Sequence, residues 1–216
     1  MQVKSKERVS DHGEVFTAER EVNAMLDLVK QETERIDSRF LEPACGDGNF
    51  LAQILERKLK VVSSRYYKSQ LEWERYSVIA ITSIYGVDIL QDNVEGCRER
   101  LFSIYRAEYS RLYKDQIKEE CLNSVQFILF HNILWGDALN LKTPGENSTP
   151  IIFSEWSAVN GSMLKRRDFA LDKLMLPRSS APDTLFSDLG EEAFLPTPIK
   201  EYPLTHFLKL AEDVSN

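Results

Sequence analysis

The chain has 216 residues, 43% of them hydrophobic, which suits one domain with a sizeable core and room for an appended tail. Its formal net charge of −7 makes it a poor non-specific partner for nucleic acid, because phosphate contacts need Lys and Arg; any such contact must come from a local basic patch or from a partner. Its three cysteines, Cys45, Cys97 and Cys121, form no CxxC pair, and His12, His131 and His206 are scattered, so neither a zinc site nor a disulfide framework is expected and a reducing cytoplasm fits. No apolar run is long enough to span a bilayer and the first residues are polar and charged, so neither a membrane segment nor a signal peptide is expected.

In chain order, residues 14–36 read as a helix with a short lead-in, with Val22, Met25, Leu26 and Val29 at helical spacing. Residues 39–42 are a short strand. The string Pro43-Ala44-Cys45-Gly46-Asp47-Gly48 is a turn in which two glycines let the backbone bend tightly and approach a ligand. A helix over 49–60 follows, with Phe50, Leu51, Ile54 and Leu55 on one face. Residues 66–84 read as mostly helical, although Val78 to Ile81 alone would also suit a strand. Residues 85–89 are a second strand ending in an acid, and 91–114 a long charged helix. Val125 to Asn132 is a third strand candidate, with a loop at 135–139, a polar loop at 142–150 and a fourth short strand at 150–153. Beyond residue 176 five prolines punctuate the chain, which reads as an extended tail over 176–216 with a short helix near 204–211. Such a tail is either disordered or wraps a partner. Residues 1–175 form the domain, and strands alternating with helices predict an α/β fold with a doubly wound, mostly parallel sheet.

Open parallel sheets bind ligands at the carboxyl ends of their strands. Glu42 ends the first strand, Asp88 the second, and Asp137 follows the third, so three acceptors are expected at one edge. A dinucleotide fingerprint would need a third glycine and a P-loop would need Gly-Lys-Ser/Thr; neither is present. The bland readings are that Asp88 caps the next helix, Asp137 is a turn acid, Thr17 is a helix N-cap and Cys45 is a small buried residue.

The order of Gly13-Glu14-Val15-Phe16-Thr17, Glu42-Pro43-Ala44-Cys45-Gly46-Asp47-Gly48, Tyr85-Gly86-Val87-Asp88-Ile89 and Gly136-Asp137-Ala138-Leu139 resembles the N6-adenine DNA methyltransferases of restriction–modification systems, over roughly residues 8–141. The resemblance implies a Rossmann-like class I methyltransferase fold and S-adenosylmethionine (SAM) as cofactor. It implies that Phe16 and Thr17 help hold the methionine end of SAM, and that Glu42 with the loop Pro43, Ala44, Cys45, Gly46 and Gly48 holds the amino acid portion. Asp88 would accept from both ribose hydroxyls, Ile89 would pack on the adenine, and Asp137 would accept from its amine with Ala138 and Leu139 nearby. Glu42 stands where Asp is more usual, and the long gap from Gly48 to Asp88 suggests an inserted helix around 62–80.

The family's Asn/Asp-Pro-Pro-aromatic catalytic motif has no counterpart, because the chain contains no Pro-Pro dipeptide. Ser154-Glu155-Trp156 follows the fourth strand candidate instead. Ser154 and Glu155 are the candidate acceptors from a target amine, and Trp156 is either a stacking surface for a flipped base or a core residue. Lys165-Arg166-Arg167 is either a DNA-backbone patch or a solvated face. A SAM-dependent enzyme on another substrate, such as RNA, protein or a small molecule, is one reading; the two that follow from the DNA resemblance are a SAM-dependent methyltransferase acting on DNA adenine and a catalytically degenerate SAM-binding module that works with a partner chain. In either case target recognition would come from a protein partner or from the tail.

Overall fold

The computed structural model describes residues 17–174 and 197–212. Its centre is a mixed α/β unit with a three-stranded parallel sheet, β1 (Phe40–Glu42), β2 (Ile84–Asp88) and β3 (Ile133–Trp135), in the order β1-β2-β3. The central strand β2 is buried at every position, as a strand flanked on both edges and covered on both faces must be. Phe40 lies across from Ile84, and Asp88 across from Trp135.

Each crossover is a pair of helices. α3 (Asn49–Tyr66) and α4 (Gln70–Thr82) join β1 to β2, and α5 (Gln91–Tyr113) and α6 (Glu119–Asn132) join β2 to β3. These helices pack in a square: α3 touches α4 and α5, and α6 touches the same two. Trp73, Tyr105 and Tyr109 are fully enclosed, with the Trp73 and Tyr109 rings stacked at 5.0 Å. Their polar atoms are satisfied inside: Trp73 Nε1 donates to Ser63 Oγ at 3.0 Å, and Tyr109 donates its hydroxyl to buried Glu74. Lys118 Nζ closes that group at 2.7 Å from the Glu74 carboxylate, giving a buried charge its counterion. Among the described residues no helix is long and apolar enough to cross a membrane.

Four sequence expectations need correction. The helix expected over 14–36 is, in its described part, two pieces, α1 (Glu19–Asp27) and α2 (Lys30–Thr33). The chain beyond them is not helical because the carbonyls of Arg35, Ile36 and Ser38 turn inward to the Lys58 ammonium at 3.1, 3.0 and 2.6 Å. Val125 to Asn132 is not a strand but the second half of α6, and the third strand begins at Ile133. The segment at 150–153 does not add a fourth strand to the parallel sheet. It opens β4 (Ile152–Val159), which pairs antiparallel with β5 (Met163–Ala170), the chain reversing at Asn160 and Gly161 with φ of 43° and 76°. Finally, residues 204–211 form no regular helix. β6 (Lys200–Glu201) and β7 (Thr205–His206) pair with β5, and Phe207 and Leu210 are buried in the main core. A short helix, α7 (Leu171–Leu174), follows β5 directly.

The hairpin covers the face of the parallel sheet that carries Tyr85 and Val87, through a small cluster with Ile151, Phe153 and Leu171. Tyr85 meets Phe153 edge-on at 5.5 Å and donates its hydroxyl to the Ser154 carbonyl at 3.0 Å. Further along β4, Trp156 Nε1 donates to Asn132 Oδ1 at 2.9 Å. Asn132 in turn donates to the carbonyl of Ile84, the first residue of β2, at 3.0 Å. Replacing Asn132 by alanine orphans a buried indole N–H and a buried carbonyl. The expected loss is about 3 kcal/mol of unfolding free energy, read from the urea midpoint.

Candidate functional site

Glu42 and Asp88 stand together at the carboxyl edge of the parallel sheet because β1 and β2 are paired in register and both end there. Between them runs the glycine turn. Cys45 N–H donates to the Val87 carbonyl at 2.9 Å, Gly46 N–H to Asp88 Oδ2 at 2.8 Å, and Gly48 N–H back to the Cys45 carbonyl at 2.8 Å. Gly46 and Gly48 have φ of 53° and 89°, where a side chain is strained. Gly48 has a second requirement: a Cβ there would lie 2.7 Å from Cys97 Sγ on α5. The loop is therefore bonded to β2 and packed against α5. Gly48 O accepts the first helical N–H of α3, from Ala52, which leaves the amides of residues 49–51 without a helical acceptor at the loop mouth.

Asp88 is nearly enclosed and busy. Oδ1 accepts from Leu90 N–H at 2.9 Å and from Asn93 Nδ2 at 3.2 Å, while Oδ2 accepts from Gly46. A carboxylate offers about four lone-pair directions. Three are used in tying the glycine loop to the start of α5, and one on Oδ2 remains. The ribose role expected for Asp88 is thus narrowed to a single acceptor, and its helix-entry role is real. Glu42 is the freer acid. It is half-buried, accepts from the Ala44 N–H, and burial pushes its carboxyl above the usual carboxylate range. Pro43 and Ala44 are exposed at the rim, and Cys45 is buried with its thiol facing Cys97, an environment that raises the thiol and removes it as a nucleophile.

Asp137 belongs to its own turn: Oδ1 accepts from Leu139 N–H at 2.9 Å and Asn140 N–H at 3.4 Å. Ala138 packs toward the hairpin, while Leu139 is 94% exposed. Ile89 is exposed beside Asp88 and shares its surface with Trp135, whose Nε1 donates to the Ile89 carbonyl at 2.9 Å. Trp135 was not among the expected residues, although its place as the last residue of β3, across from Asp88, is the signal that identifies it. Arg100, also unanticipated, reaches from α5 to Asn49 Oδ1 at 2.6 Å and Asp47 Oδ1 at 3.4 Å at the loop mouth. Thr17 is half-buried ahead of α1, where Ala18 rather than Thr17 is the N-cap, and Phe16 lies outside the described residues.

Ser154, Glu155 and Trp156 are not brought to this edge. From Ile151, beside Gly136, β4 runs past Tyr85 toward Asn132, so it travels from the carboxyl edge to the amino edge of the sheet. Ser154 Oγ donates to Asp168 Oδ1 at 2.7 Å, Trp156 is buried against α6, and Glu155 bonds Arg39, just ahead of β1, and Arg167. The basic triplet is engaged in ion pairs: Lys165 with Glu201 at 3.1 Å, Arg166 with Asp168 at 2.9 Å and Arg167 with Glu155 at 3.0 Å. Glu155 is shared with Arg39, and Lys165 and Arg167 stay partly exposed while the Arg166 side chain is mostly covered. Among the described residues no group of His, Cys, Asp and Glu forms a metal site. The chain matches no protein-family model, no curated protein and no solved structure.

Proposed function

We propose that the chain is a SAM-binding module of the class I methyltransferase type. The observation that carries this reading is the direct bond from the glycine turn to the acid ending the next strand, Gly46 N–H to Asp88 Oδ2, which fixes Glu42, the loop amides and Asp88 as one unit at the carboxyl edge. The donor set suits the ligand. A half-buried carboxylate with no cationic partner among the described residues, Glu42, suits an ammonium group; amides at a helix start with no helical acceptor, with Arg100 beside them, suit a carboxylate; and the exposed Ile89–Trp135 surface suits an adenine ring. Bound SAM supplies an electrophilic methyl group, and the residues named here bind and orient it.

The degenerate-module reading is favoured over a self-sufficient DNA adenine methyltransferase by the position of Ser154, Glu155 and Trp156, which hold the hairpin to the amino edge of the sheet. The acceptor and the groups that draw off its proton would then come from a partner chain. Two substitutions separate the roles in calorimetric SAM titrations. Glu42→Gln removes a charge-assisted hydrogen bond and is expected to weaken SAM about ten-fold or more. Glu155→Ala lies at the other edge and is expected to leave the affinity within about two-fold, as distant independent sites do. The reverse pattern would move the site to the hairpin.

A further inference from the structure

A second concavity lies at the opposite edge of the molecule, where the C-terminal residues 202–210 close over α6 and the hairpin. Its volume is about 340 Å³, within the range of small-molecule sites. Its walls are aromatic: Phe127 and Phe130 from α6, Trp156 from β4, and Tyr202. Its polar lining is Arg166, His131, Tyr202 and Thr205, and the first two carry the argument. Arg166 has a side chain only 13% exposed, with its guanidinium 4.1 Å from the Tyr202 ring centre and 5.4 Å from that of Phe127. Its Nε donates to Ser154 Oγ and Asp168 Oδ1, both at 3.0 Å, and its Nη2 to Asp168 Oδ2 at 2.9 Å. Nη1 has no hydrogen-bond partner among the described residues. The ion pair with Asp168 holds the guanidinium still and cancels its charge, so Nη1 is a fixed donor in a neutral setting.

The second group is His131. Its Nδ1 lies 2.8 Å from the Phe127 carbonyl. A carbonyl only accepts, so Nδ1 carries the proton and Nε2 is left as an acceptor. Burial favours the neutral ring, which keeps that acceptor available. The cleft therefore offers Arg166 Nη1 as a donor and His131 Nε2 as an acceptor, beside the Tyr202 and Thr205 hydroxyls, between largely aromatic walls.

We propose that this cleft binds a flat, neutral heteroaromatic whose edge carries a carbonyl beside an N–H, that is, a lactam-bearing ring of one or two cycles. The carbonyl would take Arg166 Nη1, the N–H would meet His131 Nε2, and the ring would lie against the apolar part of the lining, which includes Phe130, Leu164 and Leu210, since the guanidinium already covers Tyr202. A carboxylate is disfavoured because Asp168 stands directly behind the guanidinium, and a cation because Arg166 lines the cleft and Lys200 Nζ lies 4.7 Å from the Tyr202 ring centre.

The test uses the full chain and two probes of matched shape, quinolin-2(1H)-one and its N-methyl derivative, which lacks the N–H. Binding is followed by NMR titration, with shifts read at the Phe127 and Phe130 ring protons. The expected result is saturable binding of quinolin-2(1H)-one with shifts at both rings, and about five-fold weaker binding of the N-methyl derivative, the loss of one hydrogen bond. In His131→Phe, which keeps the wall apolar, the two probes should bind equally. Arg166→Lys, which cannot place a planar fork over Tyr202, should weaken both. No saturable binding, equal affinity of the two probes for the wild type, or a preference that survives His131→Phe would each overturn the proposal.

Discussion

Gly48→Ala is expected to destabilise the chain by about 3 kcal/mol and to abolish the SAM binding proposed for the carboxyl edge. Two independent effects add. The backbone at Gly48 has φ of 89°, which strains any L side chain by about 1–2 kcal/mol. The new Cβ would sit 2.7 Å from Cys97 Sγ and 3.5 Å from Cys97 Cα, so α5 or the loop must move. If the loop moves, it pulls on Gly46 and on the Asp88 contact that aligns the site. Cys97→Ala removes the sulfur. In the Gly48→Ala background it should therefore restore the packing share of the loss and leave the backbone share, giving partial recovery of the urea midpoint. Full recovery would show that the left-handed backbone costs nothing; no recovery would show that the close approach of Cys97 is not what requires glycine.

Lys58 carries the second large effect, and it appears as a pH dependence. The side chain is fully buried. Its Nζ lies within hydrogen-bond distance of four acceptors, the Arg35, Ile36 and Ser38 carbonyls and Ser83 Oγ at 2.7 Å, one more than an ammonium has N–H groups, and among the described residues no carboxylate is bonded to it. Burial pulls the amine down to about 7. The unfolded chain holds its proton up to about pH 10.4, so between these values the unfolded state binds more protons and stability rises with pH. The slope contributed by this one group reaches about 1.4 kcal/mol per pH unit. Burial also raises the Tyr85 and Tyr109 hydroxyls and the Cys45 and Cys121 thiols, which oppose Lys58 once the unfolded thiols titrate at about pH 8.5 and the unfolded tyrosines at about pH 10, so the Lys58 share is isolated over about pH 7.5–9.5 as the difference between the wild type and Lys58→Met, in which those groups cancel. Lys58→Met removes the titration and leaves three carbonyls without their donor. Its deficit relative to the wild type should be smallest at pH 7 and widen toward pH 9.5. Parallel stability curves for the two proteins would show that Lys58 stays charged in the fold.

The half of the molecule from Phe40 to Tyr113 is legible in its sequence because each signal there is local. A short apolar strand, two glycines and a helical stripe at Leu51, Ile54 and Leu55 name the β1–turn–α3 unit by themselves, and the acid at the end of Tyr85–Asp88 names the sheet edge. The remainder depends on partners far along the chain. The inward stripe of α6 runs Cys121, Leu122, Val125, Ile128 and Leu129, a helical period, but Ser124 and Asn132 interrupt it: Asn132 finds its partners only in the fold, and Ser124 Oγ is buried with no hydrogen-bond partner among the described residues. Phe127 and Phe130, apolar on the other face because they line the cleft, fill the gaps and make the run look like a strand. The Asn160-Gly161 turn is the sequence sign of the β4–β5 hairpin, and the adjacent charges of Lys165-Arg166-Arg167 mask the strand: on it these residues point alternately to opposite faces, each toward a different carboxylate. The candidate site divides in the same way. Glu42, the glycine turn and Asp88 are visible as a motif. That Asp88 spends most of its bonding capacity on the loop itself, and that Ser154–Trp156 fall on the far edge, depend on the direction of β4, which no short stretch of sequence encodes.

The central claim, a SAM site at the carboxyl edge, is tested most directly by calorimetric titration of SAM into the purified full chain. The account predicts saturable, one-to-one, micromolar binding that is weakened by Glu42→Gln in a variant whose urea midpoint is unchanged. A wild-type chain that is folded by the same urea criterion and yet gives no binding heat with SAM would contradict it.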